Sequence, residues 1–277
     1  MLAERDSLAH PITGQLFASP VPPGTGWPED PADAHTPVAH TAAQVRELAA
    51  DADLAGLVAA STICRACPRL VAWREQVALE KRASFADQPY WGRPAPSYGP
   101  DDARLLIVGL APAANGANRT GRMFSGDRSG DWLHAALHRA GYAAQATSKH
   151  AGDGQQLIGA RMVAPVRCAP PANKPTTDEK ATCAGWFDRE LGLLTQVTGI
   201  LALGGIAWTS VLAAADRLGW QVPRPRPKFG HGAVAELVTA DGRTLRLVGC
   251  YHVSQQNTFT GKLTEPMLDA AIALAGQ

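Results

Sequence analysis

From residue 104 onwards, short apolar runs alternate with longer segments in which apolar residues recur every three or four positions. The apolar runs predict four strands, at residues 104–108, 161–166, 199–203 and 245–250. The periodic segments predict four helices, at residues 130–140, 183–197, 206–218 and 264–275. Strands that alternate with helices form parallel sheets covered on both faces. We therefore expect an α/β protein, a three-layer α/β/α sandwich around a mostly parallel, four-stranded sheet.

Residues 109–127 follow the first predicted strand and are rich in Gly, Ala and Asn, a composition that favours neither a strand nor a sustained helix. Pro112 also removes a backbone donor. We interpret this segment as a loop at the carboxyl end of a strand, where ligands bind in open α/β sheets. The following helix is expected to have Ser129 as its N-cap and to stop at Gly141.

Two other predicted strands also lead into polar loops, at residues 167–174 and 251–262. If these strands are parallel to the first, their loops and residues 109–127 meet at one edge of the sheet. We place the candidate site at this edge.

Residues 1–55 contain many Pro, Ala, Asp and Thr residues and have weak hydrophobic periodicity. Such a segment buries little surface to offset its ordering entropy. We expect an irregular N-terminal arm, with one short Ala-rich helix at residues 45–58, and a single domain over residues 56–277.

The formal net charge is +1, from 26 Lys and Arg against 25 Asp and Glu, so binding to nucleic acid requires a local basic patch. The first seven residues contain three charged side chains and no apolar core of signal-peptide length, and no later run approaches a membrane span. We expect a cytoplasmic protein without membrane association.

Cys64 and Cys67 are spaced so that both thiolates can bind one metal centre. Cys168 and Cys183 would complete a set of four, which suits an iron-sulfur cluster or a zinc ion. The alternative is that Cys168 and Cys183 are ordinary buried thiols. Cys250 lies in an apolar run and is interpreted as a core strand residue.

Aromatic and basic residues are interleaved over residues 81–99, including Phe85, Tyr90, Trp91 and Arg93. Such a loop can cover a sugar-phosphate backbone. The alternative, slightly favoured by composition, is a loop that its aromatic side chains attach to the core.

Four ordered motifs span roughly residues 60–265. They are Cys-Arg-Ala-Cys-Pro-Arg-Leu at 64–70, Gly-Leu-Ala-Pro-Ala and Asn-Arg-Thr-Gly-Arg-Met-Phe within 109–124, Arg-Cys-Ala-Pro-Pro-Ala-Asn-Lys-Pro at 167–175, and His-Val-Ser-Gln-Gln-Asn-Thr-Phe-Thr-Gly-Lys-Leu at 252–263. With these motifs in this order, the chain resembles the iron-sulfur branch of the uracil-DNA glycosylase superfamily, and most closely its family 5, also called type b.

The resemblance implies a structural 4Fe-4S cluster on Cys64, Cys67, Cys168 and Cys183. It also implies hydrolysis of the N-glycosidic bond of uracil, or of another deaminated base such as hypoxanthine, in DNA. Because the glycosidic carbon is inaccessible inside a stacked duplex, the nucleotide has to be flipped into a pocket. The expected enzyme is a bacterial monomer that acts on the nucleoid and starts base excision repair.

The resemblance further assigns roles to single residues. Phe124 is expected to stack on the flipped base, and Asn173 to accept from N3–H and donate to O4 of uracil. His252 is expected near O2, where negative charge grows as the base departs. The backbone around Gly109, Leu110, Ala111 and Ala113 is expected to share the O2 contact. The expected DNA contacts are Arg119, Arg122, Ser254, Gln255, Gln256, Asn257 and Lys262.

The chain departs from related branches in two ways. Leu110 and Ala111 stand where other branches carry a polar group that holds the attacking water. Either a backbone carbonyl orients the water around a largely dissociated sugar cation, which we favour, or Asn118 or Asp127 substitutes. Val253 stands where Pro commonly follows the motif histidine, which affects the expected pose of His252.

Two other functions compete with this one. The absent polar group also suits a non-catalytic iron-sulfur module that binds damaged DNA. A redox protein that uses the four cysteines for electron transfer ranks last, because it leaves the motifs around Phe124 and His252 unexplained.

Overall fold

The computed structural model describes residues 7–277. Within that range the strands are β1 (Leu8–Ala9), β2 (Leu16–Phe17), β3 (Leu105–Val108), β4 (Ala160–Val163), β5 (Gly199–Leu203), β6 (Val234–Val238) and β7 (Thr244–Cys250). The α-helices are α1 (Ala42–Ala50), α2 (Leu54–Thr62), α3 (Pro68–Glu80), α4 (Ala117–Thr120), α5 (Arg128–Arg139), α6 (Thr177–Leu193), α7 (Gly205–Arg217), α8 (Gln255–Phe259) and α9 (Glu265–Ala275). Two 3₁₀ turns cover Ala83–Phe85 and Pro171–Asn173.

The central sheet has the strand order β4-β3-β5-β7-β6. The first four strands are mutually parallel, and β6 pairs antiparallel with β7. The predicted mostly parallel α/β sheet is confirmed, but the sheet has five strands rather than four. The additional strand β6 lies at an edge, and its buried Ala235 and Leu237 alternate with exposed Val234 and Glu236, so it lacks the continuous apolar run of the inner strands.

Alternate strand residues point to opposite faces of the sheet and build two cores. Leu105 and Ile107 belong to the core under α5 and α9, whereas Leu106 and Val108 belong to the core under α6 and α7. Cys250, at the end of β7, is fully buried in the first core, as predicted. The three predicted layers are therefore present.

Several helix boundaries differ from the prediction because caps decide where helices begin. α5 begins two residues early, since Asp127 and not Ser129 is its N-cap: the carboxylate accepts from the Gly130 amide at 2.9 Å. α6 begins at Thr177 instead of residue 183, because Thr176 and Glu179 form a capping box. Gly141, at φ +81°, directly follows the C-cap residue of α5 and stops the helix, as expected.

The segment 109–127 contains one turn of helix, α4, where the sequence predicted only loop. Gly121, at φ +77°, ends this turn after four residues. The Ala-rich helix predicted at residues 45–58 is in fact two helices, α1 and α2, because Asp53 caps a new start by accepting from the Gly56 amide.

Residues 7–41 of the predicted arm form the β1–β2 hairpin and a series of turns, and the first six residues of the arm lie outside the described range. Phe17, Val21 and Trp27 pack with Trp91 into a small core of their own. Asp30 forms a buried ion pair with Arg93 at 2.8 Å. The division between arm and domain at residue 55 stays a prediction, and this residue lies inside α2.

Residues 90–93 of the aromatic segment 81–99 follow the slightly favoured interpretation, whereas Arg82 and Phe85 line a surface groove described below. Tyr90 and Trp91 are fully buried, and the Arg93 guanidinium stacks 3.8 Å above the Trp91 ring. These side chains attach the segment to the core. In the part of the chain that the structure describes, no helix is both long and apolar enough to span a bilayer.

Candidate functional site

A pocket opens at the sheet edge where β3, β4 and β7 end, as the parallel topology predicted. We call it the edge pocket. It has an empty volume of about 390 Å³. Its lining residues are Gly109, Leu110, Ala111, Pro112, Ala113, Ala117, Met123, Phe124, Asp127, Ser129, Ala164 and His252. The predicted residues of the 109–127 loop therefore meet His252 here, around a mostly apolar wall with a few polar groups.

Gly109 makes room for the Phe124 ring. A Cβ added to Gly109 would lie 2.8 Å from the ring atom Cζ of Phe124, which no ordinary packing allows. Phe124 itself has φ +50°, a left-handed conformation that costs free energy for a residue with a side chain. The backbone is therefore held in an unfavourable conformation that places this ring at the wall of the edge pocket.

His252 follows β7 and faces Phe124, with ring centroids 6.4 Å apart. Burial lowers its pKa from the ordinary value, so its imidazole is neutral at pH 7. The carbonyl of His252 accepts a 2.8 Å hydrogen bond from the Asn257 side chain. Val253, the residue that replaces the common proline, is fully buried in the core under α5 and α9. These contacts position His252 without a proline.

Asp127 lines the edge pocket and also caps α5. Burial raises the pKa of its carboxyl group, whereas the amides of Gly130 and Ser129 that donate to it act in the opposite direction. One oxygen accepts from the Gly130 amide at 2.9 Å. A carboxylate thus stands at the pocket wall, although Leu110 and Ala111 provide none.

Asn118 does not reach the edge pocket. Its side chain is fully buried, and its amide nitrogen donates to the carbonyls of Arg74 at 3.2 Å and Ala114 at 3.4 Å. The arrangement links α4 to α3. Of the two polar candidates for the attacking water, only Asp127 faces the pocket.

A larger open groove continues from the edge pocket and shares Ala113, Asp127 and Ser129 with it. We call it the outer groove. Asn173, Ser254, Gln255 and Gln256 lie along it. The Asn173 carboxamide forms no hydrogen bond with any described residue, and Asn173 adopts φ +56° next to Ala172 at φ +52°. The structure therefore places Asn173 at the groove rather than among the lining residues of the edge pocket.

Three exposed cations that the sequence analysis did not single out also line the outer groove: Arg82, Arg128 and Lys149. None of them forms an ion pair with any residue in the range 7–277. They come from three separate segments, so no basic run marks them in the sequence. Together they make this groove a local basic surface on a nearly neutral protein.

The two predicted DNA-contact arginines are buried instead. Arg122 is 1% exposed and forms ion pairs with Glu29 and Asp153. Arg119 reaches the groove wall but is buried, and it donates to Gln88, Asn115 and Gly126. Paired and desolvated guanidinium groups have few free donors for phosphates, so the expected DNA contact does not fit Arg122. This arginine instead ties the N-terminal arm to the loop around Asp153.

The predicted contact loop after His252 forms the short helix α8 and the turn that follows it. Gln255, Gln256 and Lys262 are exposed, and Asn257 is half-buried because its side chain holds His252. Lys262 lies over the Tyr251 ring at 4.8 Å. Phe259, at the end of α8, is 65% exposed and lies beneath the Arg128 guanidinium at 5.3 Å. This exposed aromatic ring is a further candidate for contact with a base.

Cys64, Cys67, Cys168 and Cys183 all line one cavity, which we call the cysteine cavity. Burial raises the pKa of Cys64 and raises that of Cys67 to about 12. Within residues 7–277 no three His, Cys, Asp or Glu side chains are grouped closely enough to hold one metal ion. The four thiols line this cavity together with Arg74, Arg167 and Trp186.

Four buried donors at the cysteine cavity have no hydrogen-bond partner among residues 7–277. They are Arg74 Nε, Arg167 Nε, Arg167 Nη1 and Trp186 Nε1, and the three residues that carry them all line the cavity. Arg74 also donates to the Cys168 sulfur at 2.9 Å. Arg167 also forms an ion pair with Glu190 through its other terminal nitrogen. Buried unpaired donors are costly, so the remaining donors favour a group with acceptor atoms in the cavity. The donor set therefore fits a group with sulfur acceptors.

The edge pocket and the cysteine cavity share a wall. Ala111 lines the edge pocket and packs in one apolar cluster with Leu70, Val166 and Cys168. The Val166 amide donates to the Leu110 carbonyl at 3.4 Å. The residues around the cysteines and the backbone of the edge pocket are therefore in direct contact.

Comparison with known proteins agrees with the family resemblance of the four motifs. The family model described as the uracil DNA glycosylase superfamily matches residues 96–275. A type-5 uracil-DNA glycosylase of Mycobacterium bovis is 57% identical over 262 residues, which cover 94% of this chain and 95% of the relative. The type-5 uracil-DNA glycosylase of Thermus thermophilus is 48% identical over 78% of this chain and 93% of its own length. That of Pyrobaculum aerophilum is 40% identical over 73% of this chain and 82% of its own length.

Proposed function

The chain belongs to the uracil-DNA glycosylase superfamily, as its four motifs predicted, and we propose from this premise that it removes uracil from DNA by hydrolysing the N-glycosidic bond. The observation that carries the proposal is the edge pocket, in which Phe124, Asp127 and His252 meet at the carboxyl ends of parallel strands and open into a basic groove. The product is an abasic site, which starts base excision repair. One chain supplies every part of this site, so we propose that it acts as a monomer.

The flipped base enters the edge pocket from the outer groove. Phe124 stacks on it, a contact that any planar base can make. Asn173 stands in the groove with a carboxamide free to pair with a base edge. Because the pocket wall is mostly apolar and discriminates little by hydrogen bonding, we propose that hypoxanthine and other deaminated bases are also accepted.

Neutral His252 donates a hydrogen bond to O2 of the departing base. Negative charge grows on this oxygen as the glycosidic bond breaks, so the donor stabilises the transition state more than the ground state. Backbone amides of residues 109–113 share this contact. A neutral imidazole serves here as a fixed donor and need not transfer its proton.

Asp127 orients the attacking water. Its carboxylate is at the pocket wall, whereas Asn118 is buried elsewhere. We therefore propose this side chain for the role, in place of the backbone carbonyl. A carboxylate in a desolvated site also stabilises the positive charge of the sugar cation.

A 4Fe-4S cluster bound by Cys64, Cys67, Cys168 and Cys183 is part of the proposal. When bound, it supplies a rigid covalent link among these four residues. The donor atoms of Arg74, Arg167 and Trp186 that lack a partner among the described residues support it, since cluster sulfurs are acceptors. Through Ala111 this link stabilises the pocket loop, so its role is structural.

The test uses the full chain purified without oxygen and duplexes with one U·G, U·A or hypoxanthine·T pair, followed by alkaline cleavage of abasic sites. We expect cleavage at the U·G and U·A sites and none on an undamaged duplex. Cleavage that disappears with His252→Ala, and persists with the control His231→Ala outside the edge pocket, identifies the site. A folded, cluster-containing protein that binds these duplexes without cleaving any of them would refute the enzyme and leave the non-catalytic module.

A further inference from the structure

The turn of the N-terminal hairpin lies on the wall of the outer groove. Pro11 and Ile12 line the groove beside Lys149 and His150. Ile12 is an apolar side chain, yet it is 45% exposed. Ile12 lines the same groove as Arg82, Arg128 and Lys149, which form no ion pair with any described residue.

His10 determines the shape of this turn. Its Nδ1 accepts from the amides of Ile12 and Thr13, both at 3.3 Å, and its carbonyl accepts from Gly14 at 2.9 Å. The ring is buried and contacts Trp27 with centroids 4.6 Å apart. Ile12 is thus presented by a turn with a fixed backbone rather than by a loose chain end.

The hairpin is attached to the catalytic domain at the groove itself. The His10 ring meets the His150 ring at 4.3 Å, and His150 directly follows Lys149. Glu29, further along the arm, accepts from the Gly152 amide at 3.0 Å and pairs with Arg122. These contacts place Ile12 and Lys149 on the same stretch of groove wall.

We propose that this hairpin turn is part of the DNA-binding surface, with Ile12 packed against a sugar or base face of the bound strand. The inference rests on the proposed function, because the outer groove leads into the edge pocket. A nucleic-acid strand combines phosphates for Lys149 and Arg128 with apolar sugar and base faces for Ile12. Free phosphate or another small anion would leave Ile12 without a contact.

The test compares Ile12→Glu with Leu16→Glu in the full chain. Leu16 lies on the same hairpin and is 63% exposed, but it does not line the groove. Binding to a labelled, undamaged duplex is measured by fluorescence anisotropy at low salt. We expect Ile12→Glu to raise Kd about tenfold through lost packing and charge repulsion, and Leu16→Glu to raise it less than about twofold.

A second measurement does not depend on the introduced charge. With p-benzoylphenylalanine at position 12, irradiation is expected to crosslink the protein to DNA, and at position 16 it is not. Equal Kd values for the two glutamate variants, together with no crosslink at position 12, would overturn the proposal. Because both experiments use undamaged DNA, their result is separate from whether the protein excises uracil.

Discussion

The imidazole rings of His10 and His150 meet edge to face, with centroids 4.3 Å apart and planes at 83°. Burial lowers the pKa of His10 to about 4 and that of His150 to about 3. Glu29 acts in the opposite direction on His10, whereas Arg119 and Arg122 further lower the pKa of His150. The contact that attaches the arm therefore consists of two neutral rings at pH 7.

This pair predicts that the protein loses stability as pH falls from neutrality. Both folded-state pKa values lie below the ordinary value of 6.5, so the unfolded chain takes up protons first. At pH 5 each ring is protonated in the unfolded chain but still neutral in the folded protein. The free energy of unfolding is therefore lower at pH 5 than at pH 7, by roughly 2 kcal/mol for each ring. His10→Asn, which keeps an acceptor for the turn amides, should reduce the drop in Tm between pH 7 and pH 5. His40→Asn, at an exposed histidine, is the control. An identical drop in both variants would contradict the prediction.

Gly109→Ala should impair excision without unfolding the protein. The new methyl group displaces the Phe124 ring, with which it would overlap at 2.8 Å. Since small misplacements of contact groups are costly, we expect single-turnover excision to fall about 10- to 100-fold. Gly192→Ala is the control, because its Cβ would meet only the Leu218 Cδ2 at an ordinary 3.9 Å. A Gly109→Ala enzyme with the wild-type rate would show that the pose of Phe124 is not important.

Asp127→Asn separates capping from catalysis. Asn is also a good N-cap, so Tm should change little, whereas loss of the carboxylate should slow single-turnover excision about 100-fold or more. Because the pKa of Asp127 is raised, its protonation should also reduce the wild-type rate as pH falls, and this acid limb should be absent in the variant. The control is Asp53→Asn, another N-cap aspartate that lines neither the edge pocket nor the outer groove. An unchanged rate in Asp127→Asn would favour the backbone carbonyl.

Replacing one of the four cysteines of the cysteine cavity should remove bound iron, whereas replacing the fifth cysteine, Cys250, should not. Cys168→Ser is expected to lose most bound iron, inorganic sulfide and visible absorption, and to lower Tm, because α3 and α6 are no longer linked. Cys250→Ala should keep all of the iron, since Cys250 lies at the end of β7 and not at the cysteine cavity. Iron analysis of protein prepared without oxygen measures both. Full iron retention in Cys168→Ser would remove this residue from the proposed ligands.

The outer groove predicts how DNA binding responds to salt. If Arg128 and Lys149 each neutralise one phosphate, each alanine variant should reduce the slope of log Kd against log salt concentration by about 0.9. Arg104→Ala is the control, because Arg104 is exposed just before β3, at the opposite edge of the sheet. Equal slopes for all three variants would place the bound DNA elsewhere.

The amino-acid sequence determined the four parallel strands of the sheet, the family and the set of four cysteines that line one cavity. Continuous apolar runs mark β3 and β5, because strands buried on both faces need apolar residues at every position. The edge strand β6 was not predicted, since only Ala235 and Leu237 face the core. The first residues of α5 and α6 depend on which nearby polar side chain caps the helix, Asp127 and Thr176 respectively. Several residues before each helix have side chains that can act as caps, so composition alone does not identify the one that does.

Only the tertiary structure decided which polar side chains share a site. Asp127 and Asn118 lie in the same segment, yet one faces the edge pocket and the other is buried against α3. The sequence predicted Arg122 as a contact for DNA phosphates. In the structure, however, Arg122 forms ion pairs with Glu29 and Asp153, which are distant from it in sequence. The contact of His10 with His150 likewise joins parts of the chain that no local pattern relates. Burial and charge pairing depend on the whole packed chain, and they determine which groups remain free to act.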